Sequence, residues 1–210
     1  MRMYWATFLA LPSSLNGALM PEGRQEAHLA RRVLDKFGVG MPEQTFVAAP
    51  ATVSMAVIET QGIVLDWPIN NFSEPGRIVF PLKPTEGSQL ERLVTEVDMS
   101  GGLADLGVGS DVRHFVANYG AERYNQYKEC GGYVRHSLTI GYPLLLQAIA
   151  LAFPLDAENR ARLERMAIHP GTIFQIDCRE GQIRTEEDVE TDRFVLPAKK
   201  GEAFTSWPKG

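Results

Sequence analysis

Cysteine is scarce in this chain of 210 residues: Cys130 and Cys178 are the only two. They stand far apart, with no CxxC pair and no cysteine–histidine cluster, so a disulfide-dense scaffold and a zinc-finger pattern are excluded. A reducing cytoplasm with two free thiols is the expectation. The four histidines include His114 and His169, which have no metal-ligand spacing and read as structural or surface groups. An excess of positive charge is also missing. A net charge of −5 speaks against nucleic acid or an anionic membrane as the main partner, because either needs a basic face. No apolar run is long enough to cross a bilayer; the longest, Leu144–Phe153, reads as a buried helix. The opening MRMYWATFLAL has only Arg2 before its apolar stretch and is broken by Pro12-Ser13-Ser14, so it reads as a strand rather than a leader. Gly101, Gly102, Gly107 and Gly109 form neither a GxGxxG nor a P-loop. No cofactor and no metal are expected, and there is no internal repeat.

What is present is ordinary globular composition, 44% hydrophobic and 22% charged, in a chain long enough for one sizeable core. Residues 4–11 predict a buried strand ending at Pro12. Pro21-Glu22-Gly23 opens a helix whose apolar residues Ala27, Ala30, Val33, Leu34 and Phe37 recur at helical spacing up to Gly38. Thr45–Ala49 predicts a second strand, and residues 51–61 a second helix ending at Gly62. This β-α-β-α order with short connections predicts an α/β fold: a three-layer sandwich with a mostly parallel sheet flanked by helices.

Residues 63–130 are less regular and read as an insertion or cap within a single 1–210 domain. They contain a short strand at 64–67, one edge strand in a Pro/Gly-rich stretch, and helices at 89–99 and 111–128. A strand is expected at 130–137, a buried helix at 138–153, a polar helix at 156–166 and a half-buried strand at 172–178. Residues 182–184 form a hairpin partner, and 185–210 an extended charged tail.

The order of these motifs resembles the histidine phosphatase superfamily, the phosphoglycerate-mutase-like fold. Leu19-Met20-Pro21-Glu22-Gly23-Arg24-Gln25-Glu26-Ala27 is similar to the family's Leu-Thr-Pro-x-Gly turn with its nearby Gln-Ala, with Met20 in place of Thr. Ala48-Ala49-Pro50 with Val53-Ser54 stands where the family has Ser-Ser-Pro and an Arg-bearing helix. Val134-Arg135-His136-Ser137 before Leu144–Phe153 resembles the strand ending in a second His-Gly, and Gly171–Ile176 a late strand. The resemblance implies phosphoryl transfer through a nucleophilic histidine, with two arginines and a second histidine around the transferring group. Yet the family's Arg-His-Gly triplet falls on Leu11-Pro12-Ser13 and its second Arg on Val53. Only His136, with Arg135 beside it, matches a pocket group.

The expectation is therefore a non-catalytic, pseudoenzyme-like protein of this fold, binding a small anionic or phosphorylated ligand or a protein partner. A homo-oligomer is an open alternative. So is an enzyme of altered chemistry, a phosphoric-ester hydrolase or mutase using His136 as acid or base. The candidate residues are His136 for catalysis and Ser13, Ser14, Asn16, Arg135 and Ser137 for ligand binding. The first three sit in a turn whose hydroxyls, amide and backbone N–H groups suit an anion. The plainer reading of Ser13, Ser14 and Asn16 is turn chemistry, and of His136 a strand-end hydrogen bond.

Overall fold

The fold is seen in a computed structural model that describes residues 4–15, 17–39, 44–49, 55–66, 77–81, 103, 111–130 and 135–190. Asn16, Pro50, Val53, Ser54, Val134, the helix expected at 89–99 and the tail from residue 191 lie outside these residues.

The first strand, β1 (Trp5–Ala10), runs into a two-stranded ribbon of β2 (Ser14–Leu15) and β3 (Ala18–Leu19), and then into helix α1 (Pro21–Lys36). Proline at the first helical position needs no hydrogen-bond partner for its nitrogen and is preset to helical φ, so α1 starts where the sequence predicts. Strand β4 (Gln44–Ala49), helix α2 (Met55–Leu65) and strand β5 (Arg77–Pro81) follow. Then come α3 (Asp111–Cys130), β6 (His136–Gly141) and α4 (Pro143–Leu151). Helix α5 (Ala157–Arg165), strands β7 (Ile173–Asp177) and β8 (Gln182–Thr185) and the short α6 (Glu186–Glu190) complete the order.

Six strands form one sheet in the order β5-β4-β6-β1-β7-β8. The first four are parallel; β7 and β8 add as an antiparallel pair. Alternate residues of β1 face opposite layers. Ala6, Phe8 and Ala10 join the core under α3, α4 and α5, while Leu9 and Leu11 join the core under α1 and α2. Phe8 anchors the first core, stacked on Phe174 at 4.9 Å and edge-on to Phe153 at 5.9 Å. Tyr127 of α3 stacks on Phe46 and hydrogen-bonds Thr139 through its hydroxyl.

Four local expectations are corrected. The strand expected at 130–137 begins only at His136, because α3 continues to Cys130. The helix expected from 138 begins at Pro143, because Leu138–Gly141 form β6, buried between both helical layers. The helix expected to end at Gly62 continues to Leu65, which removes the strand expected at 64–67; residues 64 and 65 bury against the α1–α2 core instead. Residues 186–190 form α6 rather than extended tail, their start set by the Asp188 carboxylate accepting from the Thr185 backbone N–H at 2.8 Å. The edge strand β5, within the segment read as an insertion, pairs in parallel with β4 of the main sheet.

Candidate functional site

In open α/β sheets ligands bind at the carboxyl ends of parallel strands, where the chain turns into a helix. Here that end is assembled from three strands. The backbone N–H of Leu11 donates to Gly141 O at 2.7 Å, that of Ala10 to Thr172 O at 2.9 Å, and that of Tyr142 to Ala48 O at 3.1 Å. Leu11 and Pro12 are buried, so the first two residues of the turn serve the core. Gly141 must be glycine-sized, since a β-carbon there would overlap the carbonyl oxygen of Ala48. Tyr142 is half-buried and packs against both helical cores, closing the end of β6 with a ring.

Ser13 is the first polar group of the turn, and it is fully engaged. Its backbone N–H donates to Glu26 Oε2 at 2.7 Å and its hydroxyl to Glu26 Oε1 at 2.8 Å. Its carbonyl accepts from the Met20 N–H at 3.0 Å. Two glycines make this clamp possible. Gly23, one turn before Glu26 on α1, lies so close that a β-carbon would overlap the Ser13 carbonyl oxygen. Gly171 has φ +79, and a β-carbon there would stand 3.3 Å from Cβ of Glu26. Ser14 pairs with Leu19 in the ribbon, whose turn residue Gly17 accepts through its carbonyl from the Ala56 N–H at 2.7 Å.

The candidate residues fall into two groups that the fold holds apart. In the parallel register Trp5 pairs with His136 and Ala10 with Gly141. His136 is thus the first residue of β6, five residue steps or roughly 17 Å from the strand's carboxyl end at about 3.3 Å per residue. Arg135 and Ser137 share that far end. The Arg135 carbonyl accepts from the N–H groups of Tyr4 and Trp5, both at 3.0 Å, and Ser137 is buried opposite Ala6. His136 and the Ser13 turn therefore do not form one site. The reason is the shifted strand: β6 starts at His136 instead of ending beside it.

The amino end of β1 has its own electrostatics. Burial pushes the Asp177 carboxyl up, but hydrogen bonds and charge from Arg179 outweigh it and hold the group below its ordinary value. The Arg179 guanidinium meets that carboxylate at 3.0 Å and lies over the rings of Tyr4 and Trp5. Arg184 is buried between Trp5 and Phe37, its charge disfavoured by burial, and donates to Gln175. This is a structural brace: each group is spent on a neighbour.

Among the described residues no group of three or more His, Cys, Asp or Glu stands together as a metal site, and no helix is long and apolar enough to cross a membrane. A cleft of about 440 Å³ opens between α5 and α6, lined by Arg162, Arg165, Thr172 and Glu186. Arg162 is tied there to Asp188 at 2.6 Å.

No family model matches the chain, and no curated protein is similar to it in sequence. Its fold has solved relatives. A phosphoserine phosphatase from Entamoeba histolytica, solved with 3-phosphoglyceric acid, superimposes at a TM-score of 0.51 with 10% identity, over 87% of this chain and 95% of that one. The fold is phosphoglycerate-mutase-like. An alpha-ribazole phosphatase from Shigella flexneri superimposes at 0.48 with 11% identity, over 86% of this chain and 94% of that one. A phosphoglycerate mutase from Plasmodium falciparum does so at 0.36 with 11% identity, over 87% and 89%. Within the phosphoglycerate-mutase-like fold, Leu11-Pro12-Ser13 occupy the turn that follows the first strand, and Gly141-Tyr142 the end of β6. Glu26, Gly171 and Tyr142 were not singled out by the sequence. Only Glu26 carried a signal: it sits three residues after Gly23 and so shares its helix face.

Proposed function

We propose that this chain is a non-catalytic protein of the phosphoglycerate-mutase-like fold, which engages a partner at the carboxyl end of its sheet and transfers no phosphoryl group. The observation that carries this reading is the chemistry of the β1 turn. Leu11 and Pro12 are buried, and the Ser13 donors are held by a carboxylate. A phosphoryl-transfer site needs a nucleophile and fixed positive charge around the equatorial oxygens. The Ser13 hydroxyl does donate to a carboxylate base, Glu26 Oε1, but that same carboxylate holds the Ser13 backbone N–H through Oε2 and sets negative charge where the oxygens of an incoming phosphoryl group would have to lie. A phosphate oxygen placed about 4 Å from the Glu26 carboxylate would meet a repulsion on the order of 4 kcal/mol at an effective dielectric of 20.

The Entamoeba enzyme was solved with a phosphorylated acid. For this chain the same argument favours a protein partner over a phosphorylated small molecule. The alternative, an enzyme using His136, loses support because that residue stands at the opposite end of β6 from the turn.

Turnover of p-nitrophenyl phosphate, phosphoserine and a panel of sugar phosphates by the full chain tests this reading. The expected rate equals the buffer background. Turnover that disappears in Ser13→Ala or His136→Ala would overturn it.

A further inference from the structure

We infer that the Glu26 carboxylate is a built-in occupant of an oxyanion-binding turn, and that it holds this turn closed to phosphate. The inference rests on the non-catalytic reading, since it concerns what the turn can hold and not what it cleaves. Two donors of one residue, the backbone N–H and the hydroxyl of Ser13, converge on the two oxygens of a single carboxylate at 2.7 and 2.8 Å. That is the two-point arrangement by which a turn receives an oxyanion, with charge-assisted bonds at the short end of their range. The anion here is covalently part of the chain, so it competes at a high effective concentration that free phosphate has to exceed.

The surroundings are cut to this occupant. Gly23 lets the Ser13 carbonyl lie against α1 in the turn of helix that precedes Glu26. Gly171, held by its N–H donating to Ala10 O at 3.2 Å, leaves the space that the stem of Glu26 fills. Helix α1 therefore delivers the carboxylate from one side, and the chain entering β7 walls it from the other. Removing the charge while keeping this frame leaves a turn with two oriented donors and no acceptor.

The experiment compares the full-length wild-type chain with Glu26→Ala and Glu26→Gln, each labelled with 15N. Inorganic phosphate is titrated against sodium chloride of equal ionic strength, and the Ser13 amide resonance is followed. In the wild type the Ser13 amide is expected to stay in place. In Glu26→Ala it is expected to shift saturably, with phosphate binding at least about tenfold tighter than to the wild type. A wild-type Ser13 amide that saturates at the same phosphate concentration as the variant overturns the inference, and so does a folded Glu26→Ala whose Ser13 amide is silent. If Glu26→Ala does not fold, Glu26→Gln decides. It keeps an acceptor for the Ser13 N–H without the charge, so a smaller saturable shift supports the inference and silence overturns it. Phosphatase turnover by the wild type strikes the non-catalytic reading alone. Silent variants of an inert wild type strike only this inference.

Discussion

Replacing Gly23 with alanine sets local preference against tertiary packing, and the two give opposite signs. Gly23 is the third residue of α1, where alanine is intrinsically better by about 1 kcal/mol. If the helix alone decided, Gly23→Ala would stabilise the chain. A β-carbon at this position, however, would overlap the Ser13 carbonyl oxygen and stand only 3.0 Å from the Ser13 carbonyl carbon. Both neighbours are backbone, so no side-chain rotamer can relieve the overlap. The turn must move away from α1, at an overpacking cost of about 1–3 kcal/mol. That movement stretches the Met20–Ser13 bond and both bonds to Glu26, with a further loss of about 1–3 kcal/mol. Set against the helical gain, the net expectation is a destabilisation of about 1–5 kcal/mol. With a urea slope of about 2 kcal/mol/M, the midpoint followed by far-UV circular dichroism falls by about 0.5–2.5 M at unchanged slope. The exposed neighbour Gln25→Ala serves as control and should stay within about 0.5 kcal/mol of wild type. A Gly23→Ala midpoint at or above that of wild type would refute the packing argument and with it the tight seating of the Ser13 turn.

Three further outcomes are expected. Gly120→Ala should destabilise through the same conflict, since its β-carbon would overlap the Ala148 carbonyl oxygen where α3 crosses α4; a rise in the urea midpoint would contradict that crossing. Asp177 and Asp188 are both pushed up by burial but held lower overall, Asp177 by Arg179 and Asp188 by bonds from Thr185 and Arg162. Their folded values are depressed, so their stabilisation is full above the ordinary aspartate range and is lost as pH falls through and below it, between about pH 5 and pH 2; Asp177→Asn should flatten the acid limb of the urea midpoint, and an unchanged limb would count against the ion pair. The Cys178 thiol is pushed up to about 12, first by burial and then by the charge of Asp177. In a Cys130→Ser background its alkylation by iodoacetamide at neutral pH should be at least about tenfold slower in the native chain than in urea, and equal rates would show that the thiol is not shielded.

The legible part of the site was the turn itself. Pro12, Ser13 and Ser14 mark a break after an apolar strand, and Pro21-Glu22-Gly23 marks the helix start, because proline and glycine act through their own backbone geometry. Glu26 is visible in the stretch Leu19–Ala27 only as one more polar residue of the helix. The contact it makes depends on a partner thirteen residues away, and on Gly171 much later in the chain. The group that the fold sets apart from the turn is Arg135-His136-Ser137. In the sequence a strand ending at Ser137 reads equally well, and nothing local forbids it. Leu138–Phe153 is a nearly continuous apolar run, and a strand buried on both faces has no alternation to separate it from a buried helix. Pro143 was the one available marker, and it does set the start of α4.

By itself the sequence determined the alternation of strands and helices, the mostly parallel sheet between two helical layers, and the absence of a histidine from the turn that directly follows β1. Those properties follow from periodicity, turn residues and composition, which act over a few neighbours. Tertiary structure decided where β6 begins, and with it that His136 stands a strand's length from the Ser13 turn. It also decided that the donors of that turn meet Glu26. The physical reason is common to both: strand register and side-chain pairing are set by hydrogen bonds between segments distant in the chain, and only the assembled sheet brings those segments together.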